Sequence, residues 1–246
     1  MPESPGYFDE RIAQDYDADA ADRYDPAVLG PTVDFLADAA AGRTALELGI
    51  GTGRVALVLS ARGVRVHGID LSVPMVERLR AKPGADAVGV TIGDFATTTV
   101  AERFDLVYLV FNTITNLTTQ DAQVACFRNA AAHLRPGGRF VIEVFVPALR
   151  HLMPGEVYKV YRHAGGRLSF DEYDVVTQTL HSHHYRFDDD GRYQVFSLPF
   201  RYVWPAELDL MAQLAGMTLR ERWADWDRTP FTDESDSQVS VWELPR

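Results

Sequence analysis

The chain has 246 residues, 46% of them hydrophobic. That suits one large domain, or one domain with an elaboration, with a sizeable buried core and excludes a disordered chain. The formal net charge is −11 and there are only two lysines, Lys82 and Lys159. The sequence shows no cluster of Lys and Arg to neutralise phosphates, which argues against nucleic acid and against an anionic membrane as partners.

No apolar run approaches the ~20 residues that cross a bilayer. The stretch opening Met1-Pro-Glu-Ser lacks the basic and apolar regions of a secretory signal. A lone cysteine, Cys126, has no partner for an internal disulfide. These features predict a cytoplasmic protein.

In chain order, Phe8 to Asp22 carries weak helical periodicity. A helix is predicted over Pro31–Ala41, with proline at its start and Gly42 as its stop. Five apolar runs follow: Ala45–Gly49, Arg65–Asp70, Val88–Ile92, Phe104–Phe111 and Arg139–Val146. Helical stretches separate them, notably Val73–Ala81 and Thr119–Leu134, the latter ended by Pro136-Gly-Gly138. Such alternation predicts a parallel sheet covered on both faces.

The pattern changes after Pro147. Glu156 to Trp204 reads as antiparallel strands, with Asp190-Gly191 as a two-residue hairpin turn. A helix over Ala206–Ala215 and two strands, Leu219–Trp226 and Gln238–Leu244, close the chain. The expectation is a single domain: a helical cap (1–42), a sheet core (43–148), a β insertion (149–205) and the closing elements (206–246).

The first strand runs into Glu47-Leu-Gly49-Ile-Gly51-Thr-Gly53, where glycines allow a sharp turn and close approach of a ligand. The spacing is G-x-G-x-G, and Arg54 stands where a dinucleotide fingerprint wants its third glycine. Asp70 ends the second strand, 23 positions after Glu47. A carboxylate there is placed to accept from ribose hydroxyls. Ile92-Gly-Asp94-Phe95 ends the third strand, and Val110-Phe111-Asn-Thr113 follows the fourth.

Taken in order, these motifs resemble class I S-adenosylmethionine-dependent methyltransferases, strongly over residues 43 to 147 and more loosely from Trp204 to Leu244. The resemblance implies a doubly wound Rossmann-like seven-stranded α/β sheet in the order 3-2-1-4-5-7-6, with S-adenosyl-L-methionine as cofactor. It implies binding roles for Glu47, Gly49, Gly51, Gly53, Asp70, Leu71, Met75, Asp94, Phe95 and Phe111. Glu47 would face the ammonium side, Asp70 the ribose and Asp94 the adenine amine. Backbone amides of the glycine turn suit the carboxylate.

Gln14-Asp-Tyr16-Asp17 resembles the tyrosine-bearing N-terminal helix of small-molecule members, amino-sugar N-methyltransferases among them. That assigns Tyr16 to closure over the reacting groups. In the insertion, setting Asp189 opposite Arg192 places His181 and His183 on one face with Tyr185, Phe187, Phe196, Leu198, Phe200 and Tyr202. With this aromatic face inward, His181 and His183 are the expected bases. No carboxylate or cysteine completes a metal site around His181, His183 and His184, so no metal is expected.

The expected activity is methyl transfer to nitrogen or oxygen of a small molecule, and the reading is compatible with a homodimer. Protein or RNA methylation, a non-catalytic nucleoside-binding regulator and a nicotinamide oxidoreductase are the alternatives.

Overall fold

The structure is a computed structural model that describes residues 9–246 apart from Ala20, Gly42 and Asp189; the side chains of Arg11, Asp15 and Asp19 are not described either. Residues 1–8 and Gly42, part of the expected cap and its helix stop, therefore lie outside the described residues.

The strands in chain order are β1 (Thr44–Leu48), β2 (Arg65–Asp70), β3 (Gly89–Ile92), β4 (Phe104–Leu109), β5 (Leu134–Phe145), β6 (Tyr158–Ala164), β7 (Arg167–Asp174), β8 (Thr179–Phe187), β9 (Tyr193–Arg201), β10 (Thr218–Trp223) and β11 (Ser237–Glu243). The helices are α1 (Glu10–Asp19), α2 (Pro26–Ala39), α3 (Ala56–Ala61), α4 (Val73–Arg80), α5 (Gln120–His133) and α6 (Pro205–Leu214).

Seven strands form one sheet in the order β3-β2-β1-β4-β5-β11-β10. The first five are parallel, and β11 runs antiparallel between β5 and β10. This is the 3-2-1-4-5-7-6 order, β11 and β10 taking the last two places. The apolar runs are explained by burial on both faces: every residue of β1 is buried. Leu29, Val33 and Leu36 of α2 and Leu59 of α3 cover one face. Phe127 of α5 and Leu208 and Met211 of α6 cover the other, where Phe127, Phe140 and Trp242 meet ring to ring.

The insertion forms a separate antiparallel sheet, β6-β7-β8-β9. Its lower end is fixed by a buried polar network. Arg201 donates to Gln123 of α5 (2.5 Å) and to Glu207 of α6 (2.7 Å), while Gln178 also donates to Glu207 (2.9 Å). A buried guanidinium is tolerated only when so paired.

Three expectations need correction. The helix placed at Pro31–Ala41 starts five residues earlier, because Asp25 caps it by accepting the Ala27 N–H (2.8 Å) and Pro26 takes the first helical position, leaving Pro31 inside. The fifth strand begins at Leu134 and not at Arg139, since Leu134 pairs with Phe104 across a bulge. The third correction concerns the insertion. Asp188 N–H donates to Arg192 O (2.9 Å), Gly191 N–H donates to Asp188 O (3.1 Å), and Gly191 sits at φ +77°. The loop thus holds three residues, 189 to 191, closed by a left-handed glycine, and is not a two-residue turn. Asp189 itself lies outside the described residues. The register moves by one: His181 faces Pro199 and His183 faces Ser197. No helix among the described residues is long and apolar enough to cross a membrane.

Candidate functional site

The carboxyl ends of β1 to β4 open onto a cavity of about 630 Å³, which extends upward to the inner face of the insertion. Ligands bind at these strand ends in open α/β sheets. Among the residues named from sequence, Tyr16, Gly49, Gly51, Asp70, Leu71, Met75, Asp94, Phe95 and Phe111 all line this one space.

Asp70 is anchored where β2 ends. Its carboxylate accepts Gly51 N–H (2.7 Å) and Ser72 N–H (2.8 Å). Burial raises its pKa above the ordinary carboxylate value, against the pull of these amides. Each oxygen retains lone-pair capacity for a further donor.

Gly51 has φ +54°, and a Cβ there would meet nothing nearer than Met75 Cε at 3.5 Å. The face a side chain would occupy is open space in the cavity. Asp94 accepts Ala96 N–H (2.8 Å) through one oxygen, which fixes the turn that brings Phe95 to the wall.

Phe111 and Asn112, just after β4, both have positive φ (61° and 59°). Such geometry costs on the order of 1–3 kcal/mol per non-glycine residue. Glu143 of β5 holds it, accepting Phe111 N–H at its carboxylate (2.8 Å) and Asn112 N–H at its carbonyl (3.2 Å). The result aims the Phe111 ring into the cavity, with the Arg23 guanidinium carbon 3.7 Å from its centroid and that of Arg54 at 5.6 Å.

Glu47 and Gly53 sit apart from the wall. Glu47 is 3% exposed, lies beneath the glycine turn and accepts the Tyr108 hydroxyl (2.9 Å). Burial pushes its carboxyl up to about 8. A buried carboxyl already partnered in this way is not presented to a ligand's ammonium. Gly53 is packed on Leu79, which a Cβ would approach to 2.8 Å.

Helix α1 is tied down over the turn by Asp17. Its carboxylate accepts from Thr52 Oγ1 (2.6 Å) and Tyr24 and pairs with Lys82, whose Nζ also donates to Thr52 O (2.8 Å). Burial alone would raise the Asp17 carboxyl; Lys82, Thr52 and Tyr24 outweigh it and hold the group below its usual range. The tie sets Tyr16 in the cavity wall. Burial raises its phenol, against Arg54 and Arg23, so it stays protonated at neutral pH.

The one-residue register shift turns β8 over relative to β9, whose Phe196, Leu198 and Phe200 face inward as expected. His181 is exposed on the outer face. His183 is on the same face, bonded to Ser197 Oγ (2.7 Å) and Glu172 (3.2 Å). Neither lines the cavity, which removes the geometric ground for either as a base. The inner face instead carries Leu180, Ser182, His184, Phe196, Leu198 and Phe200. The His184 ring stacks on Phe196 with centroids 4.6 Å apart, and its nitrogens lie 3.3 Å from Ser169 Oγ and Ser182 Oγ. Tyr161 OH bonds Ser182 Oγ (2.9 Å).

Sequence reading therefore missed His184, Ser182, Tyr161, Asp171 and Arg23. For the insertion residues the usable signal was Gly191, which closes a three-residue loop as readily as a two-residue one.

S-adenosylmethionine carries an adenosine, an ammonium, a carboxylate and a sulfonium. The residues present fit it. Asp70 offers acceptors at a strand end, the Gly51 backbone is bare, Leu71, Met75 and Phe95 supply apolar walls, and Arg23 and Arg54 supply cations matched to a carboxylate.

Residues 45–138 match the model of a methyltransferase domain. The chain is similar to the structure of the CcbJ methyltransferase from Streptomyces caelestis, with 37% identity, a TM-score of 0.81, and coverage of 92% of this chain and 96% of that one. It is 29% identical over 241 residues to the cypemycin N-terminal methyltransferase of a Streptomyces species, covering 93% of this chain and 97% of that protein. The S-adenosylmethionine-bound structure of CalS10, an amino pentose methyltransferase from Micromonospora echinaspora, shares the fold, with 21% identity, a TM-score of 0.68, and coverage of 88% and 89%.

Proposed function

Because the chain belongs to the S-adenosylmethionine-dependent methyltransferases, we propose that it methylates nitrogen or oxygen of a small molecule seated between α1 and the inner face of β6–β9. One observation carries this reading. A single cavity joins the strand-end residues to a wall that bears Tyr16, Tyr161, Phe196 and Phe200, all from segments added to the sheet core. That wall is where an acceptor has to arrive, since the strand ends are taken up by the nucleoside site.

S-adenosylmethionine, when bound, supplies an electrophilic methyl group on a good leaving group. Asp70 would hold the ribose, Asp94 and Phe95 the adenine end, and Arg23 with Arg54 the carboxylate. Tyr16, on the tied-down α1, excludes water from the space between the two halves and offers a phenol hydroxyl to the acceptor. Alignment in a dry site supplies up to roughly 7–11 kcal/mol of the acceleration. His184, whose nitrogens face hydroxyls of the inner wall, orients the acceptor.

The cypemycin enzyme is named for an N-terminus, which favours nitrogen as the atom methylated and makes a peptide amine the second reading. Calorimetry with S-adenosylmethionine on the protein and on Asp70→Asn tests the cofactor half: affinity should fall at least tenfold in the variant, and an unchanged affinity would sink the assignment. A labelled-methyl screen over small amines, alcohols and short peptides tests the acceptor half.

A further inference from the structure

We infer that Asp171 is an anchoring subsite for a protonated amine on the acceptor. The inference rests on the methyltransferase reading and deepens it. Asp171 lies on the inner face of β7, opposite Ser182 of β8 and Lys159 of β6. It lines the main cavity and also a second one of about 400 Å³, bordered by His151, Lys159 and Asp236. The carboxylate therefore stands at the waist between the two spaces, reachable from both.

Its surroundings call for a cation. Its partner is a hydroxyl, that of Ser182, and His183 acts on it only through space, from the outer face. No lysine or arginine pairs with it among the described residues; Lys159, across the strand pair, lines the second cavity and makes no ion pair with it. Burial pushes the Asp171 carboxyl up to about 6, the mark of a charge short of compensation. An ammonium group would restore it, and the neighbouring ring of Tyr161 favours a cation over a neutral group. An amine bound here leaves the rest of the acceptor free to reach toward Tyr16 or into the second cavity.

The test is calorimetric and uses the full chain saturated with S-adenosylhomocysteine. A panel of aryl-alkyl amines is titrated, each beside the alcohol of the same shape, such as tryptamine beside tryptophol. At least one amine should outbind its alcohol tenfold or more. Asp171→Asn should cut that preference to within twofold while S-adenosylhomocysteine still binds with wild-type affinity. If no amine outbinds its alcohol, or the preference survives in Asp171→Asn, the subsite is wrong. Failure of S-adenosylhomocysteine to bind the unaltered protein would instead overturn the methyltransferase reading, so the two failures are told apart.

Discussion

Gly51 and Gly53 stand two residues apart in one turn, yet one lines the cavity and the other packs on Leu79, and alanine at each should separate binding from stability. Both have positive φ (54° and 79°), a conformation costing an L-residue roughly 1–2 kcal/mol. At Gly51 the added methyl touches only Met75 Cε at 3.5 Å, so that cost is the whole penalty. For a chain of this length it lowers Tm by about 2–8 °C. The methyl then projects into the cavity proposed to hold the cofactor, and cofactor affinity should fall tenfold or more, about 1.4 kcal/mol. At Gly53 the methyl would come within 2.8 Å of the buried Leu79 side chain. Overpacking adds about 1–3 kcal/mol, for a Tm loss of about 4–20 °C, with cofactor affinity in the surviving folded protein nearly unchanged. Melting curves beside S-adenosylhomocysteine calorimetry measure both quantities. Wild-type affinity in Gly51→Ala, or an affinity loss in Gly53→Ala matching that of Gly51→Ala, refutes the division of labour.

Glu47, with its carboxyl raised from 4.5 to about 8 by burial, is bound to a proton more tightly in the fold than in the unfolded chain. Its stabilisation is complete below about pH 4.5 and is lost as pH rises through about 8. Glu47→Gln should therefore melt with the unaltered, cofactor-free protein near pH 5 and above it near pH 9; parallel curves across that range would show the group to be ionised throughout. Tyr16→Phe should lower turnover about tenfold or more, leaving the cofactor dissociation constant within twofold. His181→Ala and His183→Ala should keep full turnover, whereas His184→Ala raises KM for the acceptor; a pH-dependent loss in either outer-face variant would contradict the observed register. Asp17→Asn loosens α1 from the glycine turn. Its ion pair with Lys82 is part-exposed, so stability should drop by ~1 kcal/mol or less, while S-adenosylhomocysteine dissociation, followed by stopped-flow, accelerates severalfold.

The local chemistry of the cofactor half was legible in the sequence because short stretches carry it. A glycine turn after an apolar run, Asp70 at the end of the next run and Asp94-Phe95 at the end of the third occupy fixed offsets from strand ends, and strand ends in a parallel sheet converge. That β1 to β5 are strands of a parallel sheet followed from runs apolar on both faces, and the closing strands from their pattern, whereas the order of the strands came from the resemblance.

The acceptor half depended on tertiary structure for two reasons. Face assignment in a strand has a period of two, so one residue in a hairpin loop decides every side chain: Gly191 closing three residues, and not two, put His184 and Ser182 inside and His181 and His183 outside. Distant partners were the second reason. Arg23 meets, at the site, the ring of Phe111, whose backbone is held by Glu143 more than 30 positions on. Asp171 becomes a waist between two cavities only once β7 is paired with both its neighbours. No spacing along the chain encodes either meeting, because each is set by how separately formed elements pack.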